Sequence, residues 1–148
     1  MQDKDFELLT SIYQNCSTAI SSIKDIEPSV EDATLRAELR EEYEHYEEFA
    51  DRCRQIATHY QKELPDNSIV EKAKLWTSIK MTTLTNKSTR HLAEMLLLGS
   101  VMGTLQCYKD LCDYRECDKS LLELCGNLLK MEESHFDYLK MFLKNQSE

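Results

Sequence analysis

Residues 41–49 read EEYEHYEEF, and residues 131–139 read MEESHFDYL. Each stretch places a glutamate where an apolar stripe should run, with a histidine three residues on. Around the first, Leu35, Leu39, Glu42, Tyr46, Phe49, Cys53, Ile56 and Tyr60 recur at threes and fours. Around the second, Leu121, Cys125, Leu128, Glu132, Phe136 and Leu139 do the same. That spacing defines one face of an amphipathic helix. The pattern apolar-x-x-Glu-x-x-His-aromatic-x-x-apolar therefore occurs twice, as Leu39, Glu42, His45, Tyr46, Phe49 and as Leu129, Glu132, His135, Phe136, Leu139.

The rest of the chain fits around these two helices. Phe6, Leu9, Tyr13, Cys16, Ile20 and Ile23 mark a first helix over about residues 4–25, ended by Pro28. Ser29 and Asp32 form a candidate capping box for the second, which runs to about residue 63 and stops at LPDNS. From Ser68 to Tyr114 no proline intervenes. This stretch is either one helix of about 70 Å or two that bend near TLTNKS, with Trp76 and Ile79 in the first part. Its later seam reads Leu84, Ser88, His91, Met95, Leu98, Met102, Leu105, Cys112, and Gly99 and Gly103 invite close approach of a neighbour. YRECDKS turns the chain into the last helix. Two hairpins with a shared pattern predict an all-α, four-helix bundle spanning 1–148 as one domain, with Leu39, Phe49, Leu98, Leu105, Leu128 and Leu139 in its core.

Composition agrees. Three glycines and two prolines leave little room for the turns of a β fold. A net charge of −9 argues against nucleic acid or an anionic membrane as partner. No apolar run approaches the ~20 residues of a membrane span, and MQDKDFELL lacks a signal-peptide pattern, so the expected location is the cytoplasm. The six cysteines contain no Cys-x-x-Cys pair, so a zinc knuckle or redox motif is not indicated. Cys16, Cys53, Cys112 and Cys125 lie on apolar stripes and read as core residues; Cys117 is the expected exposed thiol. No phosphate loop, activated nucleophile or haem-attachment motif is present.

A glutamate and a histidine three residues apart share a helix face. Two such helices opposed across a core can hold metal ions between carboxylate and imidazole. Glu42 with His45, Glu132 with His135, and the doubled hairpin resemble the ferritin-like superfamily. WTSIKM, STRHLAEML and GSVMG in the third segment are similar to small ferritin-like bacterial proteins. The resemblance implies iron or manganese, with oxygen, peroxide or iron-storage chemistry. It also implies one further glutamate from each of the first and third helices. Folding the first helix back on the second puts Tyr13, Gln14 and Cys16 beside Glu42 and His45, and none is a carboxylate. Folding the third on the fourth puts Leu97 to Met102 beside Glu132 and His135, with Glu94 a turn or more off and His91 one turn earlier.

Glu42 and Glu132 still need an account, because a buried carboxylate costs several kcal/mol unless it is paired. Two readings stay open. One is a metal site of Glu42, His45, Glu132 and His135, completed by Glu94 or His91. The other is a metal-free polar layer in a bundle that serves as a protein-interaction or scaffold module, meeting a second copy of itself or another protein.

Overall fold

The computed structural model describes residues 1–65 and 87–146. Those residues form helix α1 (Asp3–Ile26), helix α2 (Ala33–His59), helix α3 (Thr89–Asp113) and helix α4 (Lys119–Lys144), with no strand among them. The protein is all-α. The expectations for Trp76, Ile79 and Leu84, and the choice between one helix and two over 68–114, fall outside the described residues except that α3 has its own start at Ser88.

Local chemistry sets each boundary. In α1, Gln2 and Asp5 exchange capping contacts, with Gln2 N donating to Asp5 Oδ2 at 3.3 Å. Pro28 sits in a short 3-10 turn, Glu27–Ser29, that ends the helix. The cap of α2 is Asp32, whose Oδ1 accepts from Leu35 N at 2.9 Å; Ser29 belongs to the turn, so the capping box expected there is corrected to a single aspartate cap. Helix α2 stops at His59, before LPDNS, because Gln61 takes a left-handed φ of 55° and Lys62 N reaches back to Ala57 O at 2.9 Å. That is a Schellman-type closure made without glycine. Ser88 caps α3 through His91 N, and Asp118 caps α4 through Ser120 N.

Contacts between the helices give their directions. Arg54 meets Tyr13 and Arg40 meets Glu27, so α1 and α2 are antiparallel. Cys107 meets Glu132 and Tyr108 meets Glu133, so α3 and α4 form the second hairpin. Helix α1 also runs antiparallel to α3, joined by Ser11 Oγ donating to Asp110 Oδ2 at 2.7 Å. It runs parallel to α4, from the Asp118 N to Asp5 Oδ1 bond at one end to the Asn15–Glu132 bond further along. Helices α2 and α4 meet through long side chains, with the Tyr46 ring edge-on to His135 at 5.5 Å.

The core holds Leu8, Leu9, Ile12, Leu35, Leu39, Leu92, Leu121, Leu128 and Leu139, each nearly or fully inaccessible. Leu39, Leu128 and Leu139 are where the pattern puts them, and Phe49 is half-buried. Helix α3 is the correction. Leu98 and Leu105 are 43% and 59% exposed, and the buried face instead carries Leu92, Met95, Leu96, Ser100, Cys107 and Asp110. Apolar residues surround this helix, so periodicity had no single stripe to find. In its C-terminal half the helix turns Ser100, Cys107 and Asp110 inward and leaves Val101, Leu105 and Tyr108 outside, and α1 supplies partners there: Ser11 for Asp110, and Asn15 for the Gly103 carbonyl. The cysteines shift with it. Cys16, Cys53 and Cys125 are buried as expected, Cys107 joins them, and Cys112 rather than Cys117 is the exposed thiol.

Candidate metal centre

The two motif glutamates both point inward: Glu42 is 3% exposed and Glu132 1%. Their surroundings differ completely. Glu132 accepts from Asn15 Nδ2 at 3.0 Å, Tyr46 Oη at 3.3 Å and Cys107 Sγ at 3.2 Å, so all of α1, α2 and α3 send it a donor. Burial, followed by the Glu132 charge, pushes the Tyr46 hydroxyl well above its ordinary range and keeps it a donor. Gly103 completes the setting. A Cβ there would collide with Glu132 Oε2 and lie 3.2 Å from Asn15 Oδ1, so only glycine leaves room for this carboxylate. The close approach expected of Gly103 is real, and what approaches is the buried acid.

Asn15 is the residue that sequence reasoning passed over. It sits on the inner face of α1, three residues after Ile12, and is 8% exposed. The signal was available: an asparagine inside an apolar stripe is as anomalous as a glutamate, and helix propensity disfavours it there.

Glu42 has no such ring of donors. Its Oε1 is buried without a hydrogen-bond partner, although His135 Nδ1 stands 3.3 Å away. Neither group is charged at neutral pH. Burial, then the charges of Glu38 and Glu41, lifts the Glu42 carboxyl to about 8. Burial, then His45, lowers the His135 imidazole to about 4. The 3.3 Å approach is therefore a contact of neutral groups and not an ion pair. Glu38, one turn before Glu42 on α2 and half-buried, brings a third ligand atom, and the three atoms lie within 4.8 Å of one another.

The structure thus brings together Glu42 and His135 from the expected set and adds Glu38. His45 is half-buried one turn along α2, close enough for its charge to act on His135 but outside the three-residue group. Glu132 is one turn from His135 and engaged with its own donors. Glu94 pairs with Arg90 at 3.1 Å on the exposed side of α3. His91 occupies the first turn of α3, its Nε2 buried and unpartnered, and joins neither glutamate's group.

A cavity of about 70 Å³ lies between α1 and α3, with Ser22 and Ser100 among its walls, and ends on Glu42, Tyr46, Glu132 and His135. At roughly 10–15 Å³ per water it has room for several, so a group held by Glu42 and His135 could keep solvent positions. No family model, curated protein or solved structure matches the chain.

Proposed function

We propose that this protein is a ferritin-like bundle that holds a single iron or manganese ion between α2 and α4, ligated by Glu38, Glu42 and His135. The observation that carries the reading is the buried Glu42 Oε1, which has no partner of its own and faces a neutral imidazole nitrogen. Two carboxylates and an imidazole form a donor set suited to these ions. Two antiparallel hairpins, with the paired motif on α2 and α4, support the ferritin-like part. A two-ion centre does not fit. Glu132 is committed to three donors, and the α1 position beside it is Asn15, which brings no carboxylate.

An ion here would supply Lewis acidity and, as iron, redox capacity. The chain's own residues prepare the place. Tyr46 packs its ring against His135 and is tied by its hydroxyl to Glu132, so the polar knot around Glu132 orients the imidazole from the far side. Glu38 is partly open to solvent, and Glu42 must lose its proton as it becomes a ligand.

Calorimetric titration of the purified, untagged chain with manganese(II), and with iron(II) under anaerobic conditions, tests this. Saturation at one ion per chain, abolished by His135→Ala, is expected. Failure of the wild type to saturate with either ion retires the proposal.

A second reading rests on the outer face of α3. Leu98, Val101, Leu105 and Tyr108 expose between 43% and 59% of their surface on one side of that helix. That face suits contact with another protein or a second copy, as in a bundle serving as an interaction module.

A further inference from the structure

Helix α3 carries a second apolar stripe, on the side turned away from Leu92, Leu96, Cys107 and Asp110. Leu98, Val101, Leu105 and Tyr108 lie along it, all exposed, and exposed Cys112 continues the line. Successive steps alternate three and four residues, the a and d spacing with which one helix receives another. A period of about 3.5 keeps such a line against a partner helix over several turns. Beside it, Met102 and Thr104 are half-buried and have further surface to lose. The neighbouring acids of α4 are occupied: Glu133 accepts from Tyr108 Oη at 3.3 Å, and Asp137 pairs with Lys140 at 3.5 Å. Among the described residues, no helix is seated on this line.

We propose that this stripe pairs with the same stripe of a second copy, the two α3 helices running antiparallel about a two-fold axis at the level of Gly103. This pairing presupposes the interaction-module reading above and uses no residue of the Glu38–Glu42–His135 group. The spacing calls for a helix, and the charges choose which one. Glu94 stands on the line one turn before Leu98, and Lys109 beside its far end, both exposed. Leu98 and Tyr108, and Val101 and Leu105, are each symmetric about Gly103. Antiparallel pairing about that level sets Leu98 against the partner's Tyr108 and Val101 against the partner's Leu105, each contact made twice. The same register brings Glu94 within a turn of the partner's Lys109, and Arg90, which pairs with Glu94 at 3.1 Å, within a turn of the partner's Asp113. The rim is therefore complementary to itself. Parallel pairing would instead set each of these charges against its like, which disfavours it.

Sedimentation equilibrium of the purified chain in chelator, over a series from micromolar to near-millimolar protein, tests this without any metal. The expected result is a reversible monomer–dimer equilibrium. Leu105 is 59% exposed, so Leu105→Asp should leave the helical circular dichroism unchanged. It should weaken the dimer by more than about tenfold, because two carboxylates would be buried without partners. Glu94→Lys should also weaken the dimer, and adding Lys109→Glu should restore it. Direction is read from a nitroxide at Asp113→Cys in a C112S/C117S chain, whose remaining native cysteines are buried. The antiparallel pair places the two labels about 30 Å apart along the axis, at ~1.5 Å per residue. A parallel pair would hold them near the ~10 Å of adjacent helices. A monomer throughout the series, a dimer indifferent to Leu105→Asp, no rescue by Lys109→Glu, or the short label distance would each overturn the proposal. A monomeric chain would still leave this face open to a different protein, so that failure is separable from failure of the interaction-module reading.

Discussion

Glu132 and Glu42 hold equivalent positions in a repeated motif, and both are buried, yet one is saturated with donors and the other has an oxygen with none. The difference comes from the neighbouring helices. Helix α1 offers Asn15 and α3 offers Gly103 and Cys107 at the level of Glu132, while the level of Glu42 receives only a neutral histidine and a second carboxylate. A motif on one helix sets where an acid is buried. Its partners decide whether that acid is satisfied within the bundle or keeps an oxygen without a hydrogen bond.

The largest effect should come from the saturated side. Gly103→Ala drives a methyl into the Glu132 carboxylate, which must shift and break its bonds to Asn15 and Tyr46. A loss of about 3 kcal/mol in urea unfolding is expected, from overpacking and stranded donors together. A loss within error of zero would show that the knot yields without cost.

The two glutamates should next respond with opposite signs. In metal-free protein, Glu132→Leu leaves Asn15, Tyr46 and Cys107 without their acceptor and should destabilise by about 1–3 kcal/mol. Glu42→Leu removes a desolvated carboxyl with an unpartnered oxygen, and should be neutral or stabilising by up to about 1 kcal/mol. Equal losses in the two variants would erase the distinction.

The open side also predicts a pH profile in the presence of chelator. The Glu42 pKa is raised from 4.5 to about 8 in the fold, so its contribution is fully present below 4.5 and is lost as pH rises toward 8. The His135 pKa is lowered from 6.5 to about 4, so its contribution is present above 6.5 and is lost as pH falls toward 4. The two slopes cancel between 4.5 and 6.5. From 6.5 to 8 only Glu42 titrates, and this pair should cost about 2 kcal/mol across that interval. Unfolding curves at pH 5.5, 6.5 and 8 measure it, and Glu42→Gln should flatten the upper interval. An upper interval equally steep in the variant would assign the slope to other groups.

Most of the architecture could be read from the residues, because the stripes of α1, α2 and α4 are clean. Leu39, Glu42, Tyr46 and Cys53, and Leu121, Cys125, Leu128 and Glu132, are all buried along the predicted seams. Helix α3 was illegible for the opposite reason. Leucines on every side offered a false stripe through Leu98 and Leu105, and the real inner face depends on polar partners supplied by α1. The inward direction of both glutamates followed from their place in a seam. Their separation into two environments did not, since it turns on Asn15 and Gly103, which lie far from either motif along the chain. Glu38 was hidden among the solvated glutamates of α2, and only the position of His135 on α4 marks it out.

Smallest in energy, and most direct, is a manganese(II) titration of three chains side by side: wild type, Glu42→Gln and Glu132→Gln, each shown by circular dichroism to be folded at the temperature used. Below pH 8 binding should displace about one proton from Glu42, so affinity should rise about tenfold per pH unit between 6 and 8. Saturation at one ion is expected in the wild type and in Glu132→Gln, and none in Glu42→Gln. Equal loss of binding in both variants, or binding that survives in Glu42→Gln, would contradict that expectation.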